Sequence, residues 1–203
     1  DALAAQHPTP YLHALATAYR QLPATASGCD ELQLEGLPKP TSPVGRTVAA
    51  YHLARSGTKT GHLAAADWLA QCDENDFAAQ DLRQLELFIL TDQATNLREK
   101  LDAHHTAHEA ALRFEGLHRL PTARSRYVVG STRIGMGRYR EAITPLRQSL
   151  ALCPTAKGTR MNLAIALFRV GRHDDSKRLL DEVSVTHPRA WRTYVTLTQW
   201  EID

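Results

Sequence analysis

RSRYVVGSTRIGMGRYREAITPLRQSLALCP, residues 124–154, and GTRMNLAIALFRVGRHDDSKRLLDEVSVTHP, residues 158–188, are two copies of one pattern. Gly137 falls on Gly171, Leu146 on Leu180 and Pro154 on Pro188, each at an offset of 34 positions. Val129-Gly130 falls on Leu163-Ala164 at the same offset. A fixed period of this length is the mark of a repeated helix–turn–helix unit.

Two antiparallel helices need a close crossing, a tight turn and an exit bend, and the pattern supplies all three. Gly130 and Ala164 leave room for the second helix to approach the first. Gly137 and Gly171 lie just past the first helix, where a left-handed cap favours glycine. Pro154 and Pro188 follow the second helix and cannot continue it. Between these marks Tyr139, Ala142, Ile143, Leu146 and Leu150, then Leu179, Leu180 and Val183, recur at helical spacing.

These residues resemble the tetratricopeptide repeat (TPR) family, whose units close with Pro after a small residue in each helix. Val129-Gly130, Ala142, Leu146 and Pro154 fill the family's places in one copy; Leu163-Ala164, Leu167, Leu180 and Pro188 fill them in the next. Four positions depart from the pattern. Arg126 and Arg160 replace its large first residue, Arg133 its aromatic and Ser176 its Ala. A third copy begins at Trp191, with Tyr194 and Leu197 in register, and Asp203 comes before its second helix. The resemblance covers about 80 residues at family-like spacing. It implies an all-α, right-handed α-solenoid of antiparallel helical hairpins, irregular in its N-terminal half.

Composition sets the outer bounds. With 203 residues, 43% of them hydrophobic, the chain can bury a core as one elongated domain or two small ones. Lys and Arg number 24 against 22 Asp and Glu, a balance that argues against a dedicated nucleic-acid binder. No apolar run reaches the about 18 residues that span a bilayer. Cys29, Cys72 and Cys153 are an odd set without metal-ligand spacing, and at most one bridge, involving Cys29, is open to them. The start at Asp1 fits a mature or cut chain, with the periplasm favoured over the cytoplasm, and the end at Asp203 fits a boundary within a longer array.

Along the chain, the spacing predicts a helix over 10–21 and an extended Pro/Gly-rich loop over 23–43. Helices follow over 44–56 and 62–72, joined by a turn at 57–61. This pair resembles a degenerate TPR hairpin, with Ala50 as the small residue and Ala64 and Trp68 repeating the second helix's spacing. Helices over 77–90 and 94–117 come next, the latter ended by Gly116 and Pro121. The expected organisation is 1–43, 44–122 and 123–203, the last divided into 123–156, 157–190 and a partial 191–203.

One cluster has the chemistry of metal ligands: His104, His105 and His108, with Glu115 and His118 beyond. His104 and His108 share a helix face, and imidazoles at that spacing suit a transition metal. A single helix presents ligands in a line, however, and no second element offers a matching pair. The zinc-protease order is absent, because Leu112 stands where the second His would be. The alternative is a row of solvated histidines whose removal leaves stability unchanged. There is no G-x-S-x-G and no phosphate loop, and Gly135-Met136-Gly137 sits at an inter-helix turn. The basic run Arg119, Arg124, Arg126, Arg133, Arg138 and Arg140 reads as a solvated flank or an acidic-partner site. No catalytic residue, metal site or cofactor is assigned.

The resemblance implies that the first helix of each repeat lines a groove for a partner. Its groove positions fall on Arg124, Tyr127, Val128, Ser131 and Ile134; on Met161, Asn162, Ile165 and Phe168; and on Arg192, Val195, Thr196 and Gln199. Asn162 occupies the place that bonds ligand backbone in the family, an amide offering donor and acceptor together. The family's grip on a chaperone tail is disfavoured, since only Asn162 and loosely Arg192 fit it. The implied function is a non-enzymatic scaffold for a peptide or partner protein, in a bacterial secretion, envelope or polysaccharide-export assembly. The alternatives are a regulatory segment of a larger enzyme and a metal-binding protein using His104 and His108.

Overall fold

The computed structural model describes Pro10 and residues 39–55 and 58–184. The expected helix over 10–21 beyond Pro10, Cys29 and the partial repeat at 191–203 lie outside these residues. The described chain forms eight α-helices and one 3₁₀ turn, with no strand among the described residues. It divides into two compact units between Gln93 and Ala94, inside the 44–122 segment that the sequence groups together.

In the first unit, α1 (Pro43–Arg55), α2 (Lys59–Ala70) and α3 (Phe77–Ile89) pack on one another, and a 3₁₀ turn (Leu90–Gln93) follows. Each helix starts on a side-chain cap: Gly45 N donates to Ser42 Oγ, Gly61 N to Thr58 Oγ1 and Ala79 N to Asp76 Oδ1. Thr58 therefore starts α2 three residues before the predicted helix. The core is Ala50, Ala65, Leu69, Cys72 and Ala79, with Trp68 at its edge. Ala65 and Leu69, not Ala64 and Trp68, are the enclosed pair; the apparent repeat spacing in α2 is one residue out of register. His62 Nδ1 meets Glu86 Oε2 at 2.7 Å, a buried polar pair joining α2 to α3.

The second unit holds α4 (Leu97–His118), α5 (Ala123–Gly135), α6 (Tyr139–Leu152), α7 (Lys157–Arg169) and α8 (His173–Ser184). Each packs on the next, and α5 also meets α7, so first helices of successive hairpins are neighbours. Asn96 caps α4. Gly116 stays inside that helix, which ends instead at Arg119 in the left-handed region, φ 50°.

Hairpins α5–α6 and α7–α8 have the turn their sequence predicts. Gly137 (φ +75°) and Gly171 (φ +82°) are left-handed. Gly137 N donates to Ile134 O at 2.9 Å and Arg138 N to Arg133 O at 2.8 Å; Gly171 N donates to Phe168 O and Arg172 N to Leu167 O, both at 2.9 Å. Both turns are thus Schellman caps that satisfy the last carbonyls of the first helix. The crossing is tight at Gly130, where a Cβ would lie 2.5 Å from Leu146 Cγ. Ala142, Leu146, Leu163, Ala166 and Leu167 form the core around it.

The departures from the repeat pattern have local causes. Arg126 reaches back to Glu115 (3.3 Å), and Arg160 Nη2 donates to Pro154 O at 2.6 Å. Ser176 is fully buried and donates to Ala164 O at 2.8 Å, binding α8 to α7 where an Ala would only touch. Pro145 lies inside α6, where it lacks the N–H that would reach Glu141 O. Arg133 Nη1 donates to that same carbonyl at 3.0 Å. An arginine in the aromatic's place thus replaces the hydrogen bond that a buried proline removes.

Candidate partner-binding site

The inner face is built from α5 and α7. On α5, Arg124, Tyr127, Ser131 and Ile134 recur at three- and four-residue spacing, and on α7 Met161 and Ile165 lie one turn apart. The two helices are tied at the middle of this face: Asn162 Nδ2 donates to Ser131 Oγ at 2.7 Å. Near one end, Gly158 of α7 leaves space in front of the Tyr127 hydroxyl, which a Cβ there would meet at 3.5 Å. The Asn162–Ser131 bond leaves Oδ1 and the second N–H of the amide for another partner.

Exposure sorts the predicted residues. Arg124, Tyr127, Ile134, Met161, Asn162 and Ile165 are half-buried, reachable from outside while resting on the hairpins. Val128 is 0% exposed and Phe168 5%, so neither lines an open channel. Phe168 turns into its own hairpin, its ring edge-on to His173 of α8 at 4.8 Å. The separation from Asn162, about 240° around the helix, is the physical reason, since one face cannot present both. Ser131 is buried, and its hydroxyl serves Asn162. Arg192, Thr196 and Gln199 lie outside the described residues.

The histidine cluster disperses. His104 is buried at 4% exposure, its ring so close over Gly135 that a Cβ on that glycine would fall inside it. His108 Nδ1 is 2.9 Å from Thr132 Oγ1. Glu115 accepts from Ser125 Oγ at 2.6 Å and pairs with Arg126, while Ser125 and Thr122 form the capping box of α5. Among the described residues no group of three His, Cys, Asp or Glu side chains could hold a metal ion. The picture of solvated histidines is corrected as well. His104 and His108 seat α4 on α5, so removing them should destabilise the contact; His105 alone of the three is exposed.

The basic run divides in the same way. Arg126 and Arg133 hold Glu115 and the Glu141 carbonyl, Arg124 belongs to the inner face, and Arg119, Arg138 and Arg140 are exposed. Sequence reasoning missed the Ser131–Asn162 tie and the gap at Gly158. The Ser–Asn spacing of 31 is visible in the sequence. It falls short of the repeat period, however, and so escapes a search in register.

No family model and no curated protein matches this sequence. A solved structure does: a thermophilic TPR protein of Thermus thermophilus superposes with a TM-score of 0.60. The match covers 81% of this chain and 84% of that one at 18% identity. The fold is TPR-like. In TPR terms, α5–α6 and α7–α8 are consecutive repeats, and the face carrying Asn162 belongs to their first helices. No helix among the described residues is long and apolar enough to cross a membrane.

Proposed function

We propose that the chain is a non-catalytic interaction scaffold that holds an extended peptide segment against the α5–α7 face. The observation carrying this reading is the Asn162–Ser131 bond, which orients an amide at the middle of a half-buried face shared by two repeats. An amide so held can bond a ligand's backbone with its remaining groups. Met161, Ile165 and Ile134 offer apolar contact on either side, and Arg124 offers charge. The placement in a bacterial secretion, envelope or export assembly rests on resemblance to similar chains alone.

Phage-displayed peptides selected on the intact protein test this. Binders that use the face should lose about tenfold in affinity on Asn162→Ala, equivalent to about 1.4 kcal/mol, while the lost Ser131 bond lowers stability by only about 0.5–1.5 kcal/mol and leaves the protein folded. Ile165→Glu should weaken them further. Selected binders indifferent to both variants would place recognition elsewhere.

A further inference from the structure

The α4–α5 contact is unlike the hairpin contacts beyond it, because two histidines take part in it. His104 covers Gly135, and one turn along His108 meets Thr132. Ala107, Ala111 and Phe114 complete the buried face of α4. The His108–Thr132 bond is made with the ring neutral in either tautomer. Thr132 Oγ1 has one proton, and it lies 2.8 Å from Val128 O and 3.1 Å from Val129 O, both acceptors only. The hydroxyl can donate into its own helix and accept from a protonated Nδ1, or donate to Nδ1 itself.

We propose that this contact is a proton-sensitive joint, in which charging His108 loosens α4 from α5 while the α5–α6 and α7–α8 hairpins stay closed. Neutral His108 already bonds to Thr132, so the added charge creates no new bond there. Against it stand partial burial and the guanidiniums of Arg133 on α5 and Arg138 in the following turn, with His105 adding repulsion on its own helix. Glu109, the next residue on α4 and exposed, favours the charge. Burial first, and those cations after it, hold the imidazole below its ordinary 6.5. The unfolded chain consequently takes up this proton first as pH falls. The joint is at full strength above about pH 6.5 and weakens as pH drops from there through the folded value. Ser149, Ser176 and Arg133 make bonds that tie helices together in the hairpins, and none of these three titrates in this range. His173, on α8, is exposed.

Thermal unfolding of the intact chain at about pH 7.5 and about pH 5, either side of the imidazole range, tests the joint. His108→Asn and His105→Asn are measured beside the wild type. Asparagine places an N–H near the position of Nδ1 and cannot charge. The wild type should lose about 2–4 °C more than His108→Asn between the two conditions. His105→Asn should keep the wild-type loss, because its ring is exposed. Equal losses in wild type and His108→Asn, or the same flattening in His105→Asn, would overturn the proposal. Hydrogen–deuterium exchange on the wild type alone gives a second reading, corrected for intrinsic rates. Protection in the acidic sample should fall in 104–111 and 128–135 and hold in 163–168. A uniform loss across all three segments would also overturn it.

Discussion

At a spacing of 34, hairpin α5–α6 has Gly130, Arg133, Ala142 and Pro145 where hairpin α7–α8 has Ala164, Leu167, Ser176 and Leu179. In the first hairpin, Leu146 sits directly on backbone because Gly130 has no side chain. In the second a methyl is present, and the helices are joined by the Ser176 hydroxyl on Ala164 O. Pro145 removes a helical hydrogen bond and Arg133 restores one; Leu179 removes none, and Leu167 can be a buried apolar residue. The substitutions come as compensating pairs. One backbone geometry is therefore reached through two chemistries, and a residue's meaning depends on its partner across the hairpin.

The largest test is at the tightest crossing. Gly130→Leu should destabilise the second unit by about 3 kcal/mol, since even its Cβ has no space beside Leu146. An unchanged urea midpoint would remove that crossing from the comparison. Next comes Gly135, which stands one repeat before Arg169. Gly135→Ala should cost about 2 kcal/mol because it drives a methyl into the His104 ring, with part recovered in a Gly135→Ala/His104→Ala double variant. At the equivalent site, Arg169→Ala removes a guanidinium 5.6 Å from the Tyr139 ring. That change should cost only about 0.5 kcal/mol, because the group is exposed. Differential scanning fluorimetry of the three proteins ranks them.

A double-mutant cycle sharpens the Arg–Pro pairing. Arg133→Ala should cost about 1 kcal/mol in the wild type and much less beside Pro145→Leu, which returns the missing N–H donor. Additive effects would mean that Arg133 does not serve the Glu141 carbonyl. A comparably small effect belongs to Ser176→Ala, which gives the second hairpin the first hairpin's residue. About 0.5–1 kcal/mol should be lost with the hydroxyl's bond to Ala164, by equilibrium unfolding.

The contrast also shows what a sequence discloses. Gly137, Gly171 and the repeat period are legible because a left-handed turn and a helix-closing proline constrain residue type locally. Ser176 and Arg133 can be seen only as departures, since the atoms that explain them, Ala164 O and Glu141 O, belong to backbone that residue type does not reveal. His104 looks solvated because its helix is polar at that point, and nothing local announces that Gly135 lies opposite. The end of α4 misleads for a different reason. Gly116 is the better left-handed residue, yet the backbone turns at Arg119, just before Leu120-Pro121, where proline restricts the chain. For the inner face, spacing names half-buried Tyr127, Met161 and Asn162 together with enclosed Val128 and Phe168, because helical periodicity identifies a stripe but not its depth.

Cys72 carries a practical consequence. It is buried at the end of α2, its sulfur 3.7 Å from Trp68 O and 3.9 Å from Pro43 O, and burial pushes its thiol above the ordinary 9.0. Cys153, which ends α6, is only half-buried. A thiol reagent followed by peptide mapping therefore finds one slow and one quick target among the described cysteines. The Cys153 rate reports reagent and pH, and the Cys72 rate divided by it reports how often α1 and α2 part. The protein contains its own stopwatch for the opening of α1, α2 and α3.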